Sequence, residues 1–139
     1  MGLFFKLFNS LQVALYRLSA GRLGGAMRGF KVLILTTTGR KSGKPHDNPL
    51  GYFERDGGYM LVASNMGKDN HPAWYLNLKA NPDVTIQVKD RVMQMRAQIV
   101  DSEQRPALWK WMVEQAPVYG GYETATTREI PLVMLYPTK

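Results

Sequence analysis

An α+β domain built on a curled antiparallel sheet or barrel is the fold class this sequence predicts, and three observations carry the prediction. Apolar runs of strand length recur at residues 32–38, 48–55, 59–64, 84–88, 92–100 and 130–136, with short turns inside the groups 32–64 and 84–100. Helical patterns are set apart from them, near the N-terminus, at 72–80 and before Pro117. Nothing repeats as strand–helix–strand, so a Rossmann or P-loop architecture is disfavoured.

The elements follow in order. Phe4, Leu7, Phe8, Leu11, Leu15 and Leu18 recur in steps of three and four, while Lys6, Asn9 and Arg17 face away, which is the mark of an amphipathic helix. Phe5, Val13 and Tyr16 fall off that stripe. Two placements are open for this helix: packed on the body of the domain, or lying in a membrane interface through residues 3–18, where aromatic residues and a few cations are both favoured. Gly21, Gly24 and Gly25 form a joint, which divides the chain into an N-terminal helix (1–25) and a main domain (26–139).

Residues 32–38 make the first strand and 48–55 the second, with Pro49 placing the latter at an edge or bulge because proline cannot donate to a ladder. Asp56-Gly57-Gly58 signals a hairpin, and 59–64 returns as the third strand. A short helix over 72–80 is closed by Asn81-Pro82. Val84, Ile86 and Val88 alternate in a further strand, paired through Lys89-Asp90 with 92–100. Asp101 and Ser102 are candidate caps for a helix running to Gln115, and Pro117 ends it. A loop rich in Tyr, Gly and Thr leads to a last strand at 130–136.

With 139 residues and no cysteine, the chain is long enough for one apolar core and has no disulfide, thiolate metal site or cysteine nucleophile. His46 and His71 are its only histidines and have no ligand spacing, so no metal is expected. The net charge of +7 suits nucleic acid, an anionic membrane or a phosphorylated small ligand. The absence of an arginine-rich arm, zinc-finger spacing or an aromatic RNA-binding motif argues against nucleic acid. The apolar N-terminus is interrupted too often by polar residues to span a bilayer or to serve as a secretory signal. The expected location is the cytoplasm, with association to the cytoplasmic membrane face as a second placement.

The chemistry concentrates in Leu35-Thr36-Thr37-Thr38-Gly39-Arg40-Lys41-Ser42-Gly43-Lys44-Pro45, a strand end and turn with two glycines, three cations and four hydroxyls. Backbone N–H groups, hydroxyl donors and positive charge together are what a phosphate needs. The turn is not a Walker A loop: Gly39 and Gly43 are too close, and Pro45 follows Lys44 where a helix would have to start.

That run, with Asn48-Pro49-Leu50, Asp56-Gly57-Gly58 and Trp74-Tyr75-Leu76-Asn77-Leu78-Lys79-Ala80-Asn81-Pro82, resembles the deazaflavin-dependent nitroreductase family over most of the chain from about Val32 onward. The resemblance implies a split β-barrel of the FMN-binding type, mostly antiparallel, with the N-terminal amphipathic helix and two further helices. It implies coenzyme F420 as cofactor and hydride transfer to a quinone, enone or nitroaromatic. Arg40, Lys41 and Ser42 would hold the phosphate and anionic tail, with Thr38, Lys44 and His46 beside them. Asn48, Pro49, Val62, Ser64, Trp74 and Tyr75 would lie near the ring system, although aromatic residues on a short helix also serve as core. Tyr119 and Tyr122 would line the substrate side as candidate catalytic residues, or cover the barrel mouth. Ser64 is a candidate to donate to coenzyme or substrate, or to cap the next turn. Gly51 stands where family members carry an aromatic residue, which affects the substrate pocket more than the coenzyme. An FMN-dependent enzyme of the same fold, or a non-catalytic protein carrying the coenzyme or a fatty acyl ligand, are the rival readings. The oligomeric state is open between monomer and homodimer.

Overall fold

The computed structural model describes residues 30–138 together with Leu11, Val13, Ala14, Tyr16, Arg17, Ala26 and Met27. Its strands are β1 (Ala26–Met27), β2 (Phe30–Thr38), β3 (Pro45–Gly51), β4 (Phe53–Arg55), β5 (Gly58–Val62), β6 (Asp83–Val88), β7 (Arg91–Ile99) and β8 (Leu132–Pro137). Three α-helices are interleaved: α1 (Ala73–Ala80), α2 (Arg105–Gln115) and α3 (Val118–Ala125). The strands form one sheet in the order β1-β2-β6-β7-β8-β5-β4, with β3 also on β2. Every pairing is antiparallel.

The sheet is curled, as its core shows. Leu33 and Leu35 of β2 share one buried cluster with Leu61 of β5, although β6, β7 and β8 intervene in the strand order. Val84, Ile86, Met95, Val133 and Leu135 fill the same interior, with Trp74, Tyr75 and Leu78 of α1 beside them. A second cluster lies outside β5 and β8, where Met60, Leu132 and Met134 meet Trp109 and Met112 of α2 and Tyr119 of α3. A third covers the other face of β2, where Val32 and Ile34 pack on Val13 and Tyr16. β2 is therefore covered on both faces. That explains why Val32-Leu33-Ile34-Leu35 is continuously apolar instead of alternating.

The turns follow local chemistry. Asp56 and Gly57 both take positive φ, 54° and 78°, the geometry a two-residue hairpin needs between Arg55 and Gly58. Pro49 sits on β3, which pairs only with β2, so its missing N–H faces no ladder. The expected second strand is two: it breaks at Tyr52, because β3 pairs with β2 whereas β4 pairs with β5. The Tyr52 N–H donates to the Lys31 carbonyl at the handover. Asp101 accepts from the Glu103 and Gln104 amides, so it caps the turn leading into α2 and not the helix itself.

One expectation is corrected. The segment after Pro117 is the helix α3, not a loop, so three helices follow the N-terminal segment instead of two. At the N-terminus, the described residues Leu11, Val13, Ala14, Tyr16 and Arg17 are helical, and two that lie off the apolar stripe dock on the barrel. Val13 and Tyr16 are buried, the Tyr16 hydroxyl accepts from the Lys89 amide at 2.7 Å, and Arg17 pairs with Asp47 at 3.2 Å. Leu11, on the apolar stripe, is 60% exposed. The other stripe residues, Phe4, Leu7, Phe8, Leu15 and Leu18, lie outside the described residues, as do Gly21, Gly24 and Gly25.

Candidate functional site

The turn between β2 and β3 closes on itself through the Gly39 N–H donating to Lys44 O at 2.8 Å and the Gly43 N–H to Gly39 O at 2.9 Å. A Cβ on Gly39 would lie 2.5 Å from Ser42 Oγ and 2.6 Å from His46 Nε2, so a larger residue would push these two exposed side chains out of their present arrangement. Arg40, Lys41, Ser42, Lys44 and His46 are all exposed. Ser42 Oγ lies 3.3 Å from His46 Nε2 and accepts from the Lys44 amide at 3.2 Å. The structure thus gathers three cations and a hydroxyl on one solvent-facing turn, with an imidazole at the start of β3 beside them, a donor set suited to a phosphate or carboxylate.

What holds this loop is Asn77 of α1, only 4% exposed. Its Oδ1 accepts from the Arg40 amide at 3.2 Å and from Arg40 Nη1 at 2.9 Å, while its Nδ2 donates to Thr37 Oγ1 at 3.3 Å. The two motifs quoted from the sequence are therefore one structure. The helix carrying Trp74 supplies the amide that fixes the cationic turn. Arg40 is engaged by this contact, which leaves Lys41, Ser42 and Lys44 as the outward donors. Behind the turn, Thr36 donates to Asp47, which also receives Arg17.

Thr38 and Asn48 are half-buried and Pro49 is buried, Asn48 and Pro49 lying opposite Leu35 and Ile34. Trp74 and Tyr75 are both buried in the inner core, with their rings edge to face at 6.5 Å. Val62 is half-buried at the end of β5, packed against the second cluster, and Ser64 is 9% exposed just beyond it. A single turn of 3-10 helix (Asn65–Gly67) follows and abuts α3. A Cβ on Gly67 would lie 3.1 Å from Ala125 Cβ and 3.4 Å from the backbone of Tyr122, so glycine permits the approach. The Ser64 corner and the tyrosine helix are thereby neighbours.

On α3, Tyr119 is buried and Tyr122 half-buried, their rings edge to face at 5.8 Å. Tyr119 also meets Phe53 at 6.1 Å, and Phe53 meets Trp111 at 5.8 Å. Burial, followed by the nearby Tyr122, pushes the Tyr119 phenol up to about 12. It is a hydrogen-bond donor at neutral pH and not a base. Tyr52, in the inner core, is also pushed up to about 12, by burial first and then by Glu54 and the phenols Tyr16 and Tyr59. Both groups are neutral when protonated, and their folded values exceed the ordinary 10.0. Their contribution to stability is whole below pH 10 and is lost as pH rises toward 12. The urea midpoint is expected to fall across that window, and tyrosinate absorbance of native protein to lag that of unfolded protein. Coincident titrations would contradict this.

Two residues that pattern reading left without a role complete the site. Asn77 stood within the quoted 74–82 run, where a single buried amide leaves no periodic signal. Arg128 lies in the connection after α3, and its guanidinium reaches the Ser64 carbonyl at 2.7 Å. Among the described residues no group of three His, Cys, Asp or Glu side chains gathers to hold a metal.

A family model described as F420H(2)-dependent quinone reductase matches residues 9–137. The chain belongs to this family. An F420H(2)-dependent quinone reductase of Mycobacterium tuberculosis (strain ATCC 25618 / H37Rv) is 36% identical over 129 residues, covering 90% of this chain and 87% of its own. Among solved structures, an F420-H2 dependent reductase (FDR-A) is 43% identical with a TM-score of 0.67, covering 75% of this chain and 92% of its own. A second, described as a domain-swapped dimer, is 34% identical with a TM-score of 0.70 and covers 97% of this chain and 99% of its own. The curled sheet is thus the split β-barrel of F420-dependent reductases, as the resemblance implied.

Proposed function

We propose that this protein is a coenzyme F420-dependent reductase that passes a hydride from the reduced coenzyme to an electron-poor organic acceptor, a quinone foremost. One observation carries the reading: in a chain of the F420H(2)-dependent quinone reductase family, the cationic turn is held by Asn77 with Lys41, Ser42 and Lys44 facing solvent. Those donors fit the phosphate and anionic tail of such a coenzyme. Lys41, Ser42 and Lys44 bind it directly, Arg40 shares its charge while fixing the turn, and His46 lies beside Ser42. Thr38, Asn48, Pro49, Val62 and Ser64 border the ring, with Trp74 and Tyr75 shaping that wall from behind as buried side chains.

When bound, the reduced deazaflavin supplies a hydride. The protein's own work is to orient, to exclude water and to steady the acceptor. A protonated Tyr119, the half-buried Tyr122 and Ser64 offer hydroxyls on the acceptor side. An acceptor oxygen bound to a phenol gains stabilisation as negative charge develops on it. The aromatic layer of Phe53 and Trp111 behind Tyr119 limits its motion, which favours a single approach geometry. The test is an anaerobic titration with coenzyme F420 and with FMN, followed by menadione, an enone and a nitroaromatic under the reduced form of whichever binds. Saturable F420 binding with quinone-dependent oxidation of the reduced coenzyme supports the reading; FMN binding alone overturns it.

The finer reading of partners gives the N-terminal helix a membrane surface, where apolar quinones reside. On a helix of ~100° per residue, Val13 and Tyr16 lie roughly opposite the centre of the stripe formed by Phe4, Leu7, Phe8, Leu11, Leu15 and Leu18. Val13 and Tyr16 meet the barrel, and Leu11, the stripe's one described member, is exposed. No helix among the described residues is long and apolar enough to cross a membrane, which fits attachment in the interface. Intact protein is expected to float with anionic liposomes, and Leu11→Asp to reduce flotation severalfold while menadione reduction is unchanged. Flotation unaffected by Leu11→Asp, or a dimer that this change dissociates, would assign the stripe to another copy of the chain.

A further inference from the structure

We propose that Arg128 is a positioning residue that locks the Ser64 corner to the tyrosine-bearing helix α3, with His71 as its neutral acceptor, and so sets the geometry of the acceptor side. The inference rests on the reading above that Ser64, Tyr119 and Tyr122 face the acceptor.

Arg128 lies just beyond α3, yet its hydrogen bonds run to residues 63–71. Its Nη2 donates to Ser64 O at 2.7 Å, Nη1 to Ala63 O at 3.2 Å and Nε to Lys68 O at 2.9 Å. Nη1 also lies 3.1 Å from His71 Nδ1. A guanidinium only donates, so this ring nitrogen must carry a lone pair. One planar side chain thus joins a strand end, a turn and the approach to α1. A lysine ammonium has neither the reach nor the fork to serve the same acceptors.

The segment needs such a lock. It turns on two residues with positive φ, Asn65 at 47° and Gly67 at 77°. Its own backbone ties are the Gly67 N–H to Ser64 O at 2.9 Å and the Lys68 N–H to Asn65 O at 3.1 Å. The Ser64 carbonyl therefore accepts twice, once from its own turn and once from Arg128. A second tie runs parallel, with Thr126 donating to Asp69 at 3.0 Å and the Arg128 amide donating to Thr126 Oγ1 at 3.3 Å. Both ties have one charged partner, but Arg128 reaches three backbone carbonyls and His71 where Thr126 reaches Asp69 alone. Arg128 is accordingly the stronger tie, and it sets how far Ser64 stands from Tyr122.

His71 reports on the lock. Burial, then the charges of Arg128 and Lys79, hold its pKa below the ordinary imidazole value. Asp69 faces Arg128 from the same loop, and the Tyr75 ring packs on His71 at 4.9 Å. Loss of the guanidinium removes one cationic neighbour and raises the His71 pKa.

The test compares wild type with Arg128→Lys and Arg128→Met. Expected are coenzyme F420 affinity within about threefold of wild type and menadione turnover reduced about tenfold or more in both variants. Faster amide exchange at residues 64–68 in both, and a raised His71 pKa in Arg128→Met by NMR titration, complete the expectation. Turnover within twofold of wild type in Arg128→Lys, or unchanged exchange at 64–68, overturns the proposal. If wild-type protein reduces no quinone, the functional reading fails, and exchange with the His71 titration still decides the lock. If Arg128→Met does not fold, Arg128→Lys and the wild-type titration decide, with a His71 pKa at or above about 6.5 counting against it.

Discussion

Replacing Asn77 by leucine weakens coenzyme F420 binding about 10- to 100-fold and lowers stability by about 2–4 kcal/mol, about 10 °C in Tm. The side chain accepts twice from Arg40 and donates to Thr37. Leucine keeps the branching at Cγ but is bulkier, and it leaves the buried Thr37 hydroxyl without this partner, at about 1–3 kcal/mol, and removes the acceptor of the Arg40 N–H. The cationic turn then loses its only tie to α1 among the described residues, and its donors no longer converge. Asn77→Asp separates the two roles, because a carboxylate still accepts from Arg40 but cannot donate to Thr37. Its affinity is expected to lie between leucine and wild type. Fluorescence titration and thermal melts read both quantities, and unchanged affinity in a folded Asn77→Leu would remove Asn77 from the binding machinery.

The double change Arg40→Ala with Lys41→Ala raises the coenzyme dissociation constant about 100- to 1,000-fold, since hydrogen bonds to charged groups contribute about 1.5–3 kcal/mol each. Lys41 is exposed and outward, whereas Arg40 also fixes the turn, so the single variants should differ in kind. Lys41→Ala lowers affinity and flattens its salt dependence, because an exposed charge is screened. Arg40→Ala lowers affinity and loosens the turn, which shows as faster amide exchange at 39–44. Equal salt dependence of coenzyme binding in wild type and double variant would contradict a charge-based grip.

The barrel strands were legible because their signals are local. Val84, Ile86 and Val88 alternate and are all buried, and the Asp56-Gly57 hairpin needs only two positive φ values. Helix α3 was hidden for the opposite reason. Gly120 and Gly121 in mid-helix are unfavourable by about 1 kcal/mol each relative to alanine, so propensity argues for a loop. The helix forms because Tyr119 has a buried place beside Met60, Met112 and Met134, a contact no window of the sequence contains. The N-terminal helix shows the same limit. Its stripe of apolar residues was plain, but the docking of Val13 and Tyr16 was not, because it depends on Val32 and Ile34 of β2 and on the Lys89 amide that donates to Tyr16.

By itself the sequence determined an antiparallel α+β domain and a cationic glycine turn, and its motifs carried the resemblance to a family whose cofactor is a deazaflavin. Each depends on residues adjacent in the chain, whose periodicity, turn chemistry and charge can be read in place. Only the tertiary structure decided that Asn77 grips the turn across 37 residues and that Arg128 grips the Ser64 corner across 64. It also decided that the helix after Pro117 packs against that corner. These are contacts between distant segments. Their strength comes from burial and geometry, which exist only once the sheet has curled and brought the segments together.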